Sequence, residues 1–297
     1  MRAVVDLGTN SARLLITEGP KAIARDLVIT RLGRGVDKTG ILSQEGMAAA
    51  IQALLRFKEQ TAAYNVVPIV VATSAVRDGA NQGQFVEMVR EAVGWDVCVL
   101  SGEEEAEYSF RGAVLAAVRD GHGPVAVVDI GGGSTEILVG TKSGTLLGGG
   151  SVPVGAVRMT ERHITSYPIP SSELQSLEAE ARELLQPLAD AAKSAGPSAL
   201  IAVGGTATTL AAMDLELTEY DPVKVTGRVL TEARLRRIYR QLGKLSLAEL
   251  TQLPCLQRGR EDIIAAGTGI LLTVCQLLGF DECTVSDGDL LMGILSG

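Results

Sequence analysis

Apolar residues recur along this chain in two rhythms. Short runs of Val, Ile and Leu, broken by Gly, Ser and Asp, mark strands; longer stretches with apolar positions three and four apart mark helices. Residues 4–16 and 127–139 each read as strand, glycine turn and strand. A further strand is predicted over 21–30, with an irregular basic loop over 31–37. Ser43 is placed to cap a helix running to about residue 63, with Met47, Ile51, Leu54, Leu55 and Phe57 on its apolar face. A buried strand over 66–71, a loop over 72–77, a helix over 82–93 and a strand over 96–100 follow. Ser101 opens a helix to about residue 119, and residues 120–124, with His122, read as a linker. The C-terminal half predicts a helix over 172–194, ended or kinked by Pro187. A strand over 199–203, an irregular connector over 220–225, helices near 231–242, 246–253 and 261–278, and a last strand over 283–285 complete the pattern.

The two hairpins are copies. Val4, Val5, Asp6, Gly8, Ser11 and Leu15 meet identical residues at Val127, Val128, Asp129, Gly131, Ser134 and Leu138 at a constant offset. A repeat of this kind marks one structural unit used twice. The expected organisation is α/β with two related domains, residues 1–120 and 121–297, each offering a hairpin to a cleft between them. The last helix is expected to pack back towards the first domain.

Composition narrows the partners. The 297 residues carry a formal net charge of −8 and only 3% aromatic residues. That argues against nucleic acid and anionic membranes, and against base-stacking platforms. Cys98, Cys255, Cys275 and Cys283 have no C-x-x-C spacing, and His122 and His163 are the only histidines, so zinc is poorly supported. No apolar run approaches the ~18 residues of a membrane span, and the N-terminus has no signal-peptide pattern. The expected setting is cytoplasmic.

Candidate chemistry gathers at the turns. Glycines let backbone approach a ligand closely, and successive N–H groups in such a turn form an anion-binding concavity. Gly131, Gly132 and Gly133 fit this role, with Ser134 and Thr135 adding hydroxyls. Asp129 and Glu136 offer oxygens for a hard cation or for orienting a water. The plainer reading is a tight hairpin whose glycines serve only its geometry. Ser74 and Arg77 follow a strand's carboxyl end, where open α/β sheets bind ligands. Glu104, three residues after Ser101, fits a capping box, whereas Glu105 lacks that explanation and is a candidate general base. Arg158 beside Gly155 is a candidate phosphate ligand, and Gly204, Gly205 and Thr206 form a third turn at a helix N-terminus. No P-loop or complete dinucleotide fingerprint is present.

Asp6 through Ser11, Ala72 through Arg77, Ser101 through Ala106, Asp129 through Glu136, Gly155 through Arg158 and Gly204 through Thr209 occur in a known order. Together they resemble the exopolyphosphatase / guanosine pentaphosphate phosphohydrolase family, within the actin-like ATPase superfamily. The resemblance spans essentially the whole chain. It implies two ribonuclease-H-like (actin-like ATPase) domains with an active site in the cleft between them, and Mg²⁺ or another divalent cation. By that resemblance Glu105 activates water, Asp129 and Glu136 bind the metal or assist the water, and Asp6 joins the metal candidates. Gly8, Thr9, Asn10, Ser11 and Arg13 join the phosphate-binding candidates, with Ser74, Arg77, Gly131, Gly132, Gly133, Ser134, Thr135, Arg158, Gly204, Gly205 and Thr206. The implied substrates are inorganic polyphosphate and guanosine pentaphosphate. Dimers are common among such relatives, although no local pattern here specifies an interface.

Two departures stand out. Leu291 and Met292 occupy places where many relatives carry an Arg-Glu pair, and the chain stops after two domains, leaving less surface to grip a long polymer. An ATPase or kinase using the same hairpins, and a sensor that binds polyphosphorylated ligand without turnover, are the competing expectations.

Overall fold

The structure is a computed structural model. It describes all residues except Pro20, 118–122, Cys255, Gln257, Arg258 and Gly297, and omits the side chains of Asp37 and Lys38. Most of the expected linker, His122 included, lies outside the described residues. The chain forms two compact units, Met1–Ser109 with Leu290–Gly297, and Phe110–Asp289.

The first unit contains β1 (Arg2–Leu7), β2 (Ser11–Glu18), β3 (Lys21–Ile29), α1 (Val36–Thr39), α2 (Gln44–Ala63), β4 (Ile69–Ala72), α3 (Ser74–Asp78), α4 (Gln82–Val93) and β5 (Val97–Val99). The helix α5 (Gly102–Ala117) begins here. Its sheet has the order β3-β2-β1-β4-β5, with β1, β2 and β3 antiparallel and β1, β4 and β5 parallel. The central strand β1 is buried on both faces. Ala3, Val5 and Leu7 enter the core shared with α2 and α4, while Val4 enters a cluster with Leu290, Leu291, Ile294 and Leu295. That double burial is why the strand reads as a continuous apolar run. Ser43 caps α2 by accepting from the Gly46 amide. The strand expected from residue 66 begins only at Ile69: Pro68 cannot donate to a ladder, and Val67 is exposed. The expected loop at 72–77 contains the short helix α3.

The second unit contains β6 (Val125–Ile130), β7 (Thr135–Gly140), β8 (Leu146–Val152), α6 (Ala156–His163), α7 (Ser171–Ser194), β9 (Leu200–Val203), α8 (Gly204–Asp214), α9 (Pro222–Val225), β10 (Val229–Thr231), α10 (Glu232–Lys244), α11 (Leu247–Leu250), α12 (Ile264–Leu278) and β11 (Glu282–Val285). The final helix α13 (Leu290–Leu295) returns to the first unit. The second sheet runs β10-β11-β9-β6-β7-β8. Without the edge strand β10, this repeats the first sheet: three antiparallel strands joined through β6 to the parallel β9 and β11. Both units thus carry the ribonuclease-H-like sheet of the actin-like fold.

Two elements of the second unit depart from the sequence pattern, and a third, expected as a helix, is set apart by its burial. Pro187 neither ends nor breaks α7, which continues to Ser194. Leu185, Ala189 and Ala192 on either side of it are buried in the core, and their packing holds the helix across the missing hydrogen bond. The strand β8 is hidden in sequence by Gly148, Gly149 and Gly150. Gly149 has φ +144°, and a Cβ there would lie 2.4 Å from the Ile137 carbonyl, so only glycine permits this approach to β7. The third, α12, is apolar on all sides because every residue except Gln276 is buried. Among the described residues, no helix is long and apolar enough to cross a membrane.

Candidate active site

Each hairpin turn closes in the same way. The Gly8 amide donates to the Ser11 carbonyl at 3.0 Å, and Gly131 donates to Ser134 at 2.9 Å. Behind each turn, one pair of opposed residues sets the chemistry. In the first unit Asp6 faces Arg13, and in the second Asp129 faces Glu136. Arg13 donates to Asp6 Oδ2 from Nε at 3.0 Å and from its terminal nitrogen at 2.7 Å, with Asp6 only 3% exposed. Asp6 and Arg13 were expected to meet metal and phosphate, but the structure turns them on each other. A guanidinium already neutralises the carboxylate that a cation would need.

In the second copy the residue opposite the aspartate is itself an acid. Asp129 and Glu136 are like charges at directly opposed positions, an arrangement that is unfavourable until a cation is shared. Glu136 Oε1 accepts from the Ser151 hydroxyl at 2.5 Å. A Cβ at Gly204 would lie 2.3 Å from Asp129 Oδ1, so glycine leaves room for that carboxylate. Arg260, which sequence reasoning missed, lies over the same turn: its guanidinium would be 2.0 Å from a Cβ at Gly205. Burial lowers the pKa of Arg260, opposed by the nearby Asp129 charge. One guanidinium answers one of two carboxylates. The remaining oxygen donors fit a hard divalent cation of the magnesium type, which commonly uses one or two carboxylates plus water and phosphate. Among the described residues, no group of three or more His, Cys, Asp or Glu gathers as a metal site.

The glycine turns of this unit pack on one another. Ala156 donates to the Gly131 carbonyl, and Val157 and Arg158 donate to that of Gly132. Arg158 Nε reaches the Gly133 carbonyl at 2.9 Å. A Cβ at Gly155 would lie 2.5 Å from the Gly132 backbone, so contact between the turns depends on glycine. Two expected phosphate donors point inward instead. Thr135 is fully buried and donates to the Val154 carbonyl at 2.5 Å; Thr206, 3% exposed, donates to Ile130 at 3.3 Å. Their hydroxyls brace the turns. Gly132 and Gly133 are exposed, and Ser134, Gly204 and Gly205 are partly exposed.

In the first unit, Thr9 and Ser74 bring their hydroxyls to 3.0 Å. Asn10 is exposed, and its carbonyl accepts from the amides of Thr30 and Arg31. Glu104 belongs to a capping box: its Oε2 accepts from Ser101, and its amide donates to Ser101 Oγ. The hydrogen bond from the Ser101 amide, joined by one from its hydroxyl, lowers the Glu104 pKa. Glu105 takes no part in that cap. Arg77 donates to Glu105 Oε2 at 2.8 Å and to the Leu100 carbonyl at 2.9 Å, tying the carboxylate to the end of β5. Arg77 was expected at phosphate, and here it orients Glu105. Glu105 belongs to the first unit, Asp129 and Glu136 to the second.

Comparison with known proteins supplies the context. The Ppx/GppA phosphatase family model matches residues 13–297. An exopolyphosphatase 2 from Mycobacterium tuberculosis is 33% identical over 310 residues, covering 98% of this chain and 96% of the relative. The crystal structure of the Aquifex aeolicus member of the Ppx/GppA family superposes with a TM-score of 0.86 at 31% identity, over 99% of this chain and 95% of its own. An exopolyphosphatase from Cytophaga hutchinsonii superposes with a TM-score of 0.83 at 30% identity, over 99% and 96% of the two chains.

Proposed function

Since this chain belongs to the Ppx/GppA phosphatase family, we propose that it hydrolyses the terminal phosphoanhydride bond of inorganic polyphosphate, of guanosine pentaphosphate, or of both. The observation that carries this reading is the difference between the two copies of one hairpin. Asp6 is neutralised by Arg13, whereas Asp129 faces a second carboxylate beside three glycine turns. That second copy suits a polyanion that arrives with a divalent cation.

In this reading the turns at Gly131–133 and at Gly204 and Gly205 bind phosphate oxygens through their amides, while Arg158 and Arg260 balance the charge of the chain. Asp129 and Glu136 would hold magnesium, which when bound supplies charge neutralisation to the phosphates. Glu105 takes the proton of the attacking water, and Arg77 aims its carboxylate. Phosphoanhydride hydrolysis asks little covalent chemistry of a protein; positioning and charge stabilisation supply most of the acceleration. A positioned base contributes on the order of 10²- to 10⁴-fold.

The test is phosphate release by the purified protein from long-chain polyphosphate, guanosine pentaphosphate and ATP, each with magnesium and with excess chelator. The expected result is metal-dependent release from one or both of the first two, well above release from ATP. Tight binding of these ligands without release would move the reading to a sensor. Faster release from ATP would move it to an ATPase.

A further inference from the structure

At the far end of α8 lies a second concentration of positive charge. The helix starts at Gly204 and Gly205 and ends at Asp214, so its two ends are about 15 Å apart. Asp214 lines a recess of about 330 Å³ with Arg228, Ala233, Arg234 and Arg237. The Asp214 side chain is 1% exposed. Arg228, just before β10, donates to Asp214 Oδ2 through Nε at 2.8 Å and again through a terminal nitrogen. Arg234, in the first turns of α10, donates to the same oxygen at 2.7 Å.

Arg228 is enough to neutralise a buried Asp214. Arg234 already exceeds that need, and Arg237 exceeds it further. The Arg237 guanidinium stands 3.6 Å from Asp214 Oδ1, beyond hydrogen-bond distance, and its side chain is 70% exposed. Among the described residues no second acid pairs with these three arginines; the neighbouring Glu232 is engaged by Arg236 and Gln276. Three guanidiniums on one carboxylate leave two positive charges in one recess, on a chain whose net charge is −8. A purely structural ion pair has no use for the third arginine. Planar guanidiniums held by an acid, with donors left towards solvent, are the usual equipment for phosphate oxygens. Ala233 contributes only a methyl group, which keeps the recess open.

We propose that the recess of Asp214, Arg228, Arg234 and Arg237 is a second anion site for a diphosphate group, from inorganic pyrophosphate or from a nucleoside diphosphate. Asp214 holds the guanidiniums in place, and Arg234 and Arg237 turn their remaining donors to the ligand. Since α8 joins this recess to the Gly204–Gly205 turn, occupancy here bears on that turn through one helix.

The experiment is calorimetric titration of the full chain with sodium pyrophosphate, in chelator at low salt, comparing wild type, Arg237→Gln and Arg234→Gln/Arg237→Gln. Wild type is expected to bind, and the double variant to lose one class of sites or weaken it at least 10-fold, with its thermal midpoint unchanged. Arg237→Gln alone is expected to weaken the same class; because Arg237 is exposed, this variant reads the site even if the double variant is destabilised. Identical isotherms for wild type and both variants, or no wild-type binding up to about 10 mM, would overturn the proposal. ADP or GDP competing at the Arg237-dependent class would identify a nucleotide diphosphate as the ligand, and competition by neither would leave inorganic pyrophosphate.

Discussion

Asp6 and Asp129 occupy the same place in two copies of one hairpin, and the residue opposite each separates their chemistry. Arg13 closes the first as an ion pair across the strands, whereas the second sets a carboxylate, Glu136, opposite Asp129. Opposite substitutions should therefore behave differently. Arg13→Ala removes the guanidinium from a buried carboxylate and should cost about 2–4 kcal/mol, somewhat below the range for a fully buried pair because Arg13 is 31% exposed. Glu136→Gln relieves like-charge crowding and should leave metal-free stability equal or higher, while lowering the stabilisation that added magnesium gives. Urea unfolding with and without magnesium distinguishes them; equal losses in both variants would remove the contrast. At this scale sequence was an incomplete guide. The glycines and Glu105 stand out by their motifs, but the inward turn of Thr135 depends on Val154, 19 residues away. Arg260 was missed for a related reason: it belongs to no glycine motif and reaches Gly205 only through the fold.

Among the elements, local pattern and tertiary packing agree except where packing overrides propensity. The helices α2 and α4 and the hairpin strands lie within a few residues of the positions their periodicity predicts, because each presents a regular apolar face to a core. Pro187 shows the override. A proline inside a helix sacrifices one backbone hydrogen bond and crowds the preceding turn, yet α7 stays continuous because Leu185 and Ala189 are anchored in the core. Pro187→Ala restores that donor at an exposed position. It should raise stability by about 1–3 kcal/mol without altering activity, read as a higher urea midpoint with an unchanged slope. A lower midpoint would show that the proline supports α7 in some other way. Packing also explains β8, whose glycines conceal a strand from any propensity argument but allow close contact with β7.

For the whole molecule, the doubled sheet order carries the duplication of the hairpin to the scale of the fold. Its acid sensitivity follows from carboxylates spread over both units. The Glu104, Glu173, Glu232 and Glu249 carboxyls are held below their ordinary 4.5 chiefly by hydrogen bonds, from Ser101, Thr165, Arg236 and Ser246 respectively. For Glu180, burial alone would raise the value, but bonds from His163 and Arg162 outweigh it and bring it down. A carboxyl whose pKa is lower in the folded chain contributes stability above its unfolded pKa, and that contribution disappears as pH falls through the folded value. The urea midpoint should therefore drop as pH falls below about 5, and a midpoint that rose over that range would contradict these assignments. The central claim, that Glu105 activates water for attack on a terminal phosphoanhydride, has a more direct test. With the favoured substrate and magnesium, Glu105→Gln should lower kcat by about 10²- to 10⁴-fold while leaving substrate binding within a few-fold of wild type. Turnover equal to wild type in that variant would contradict it.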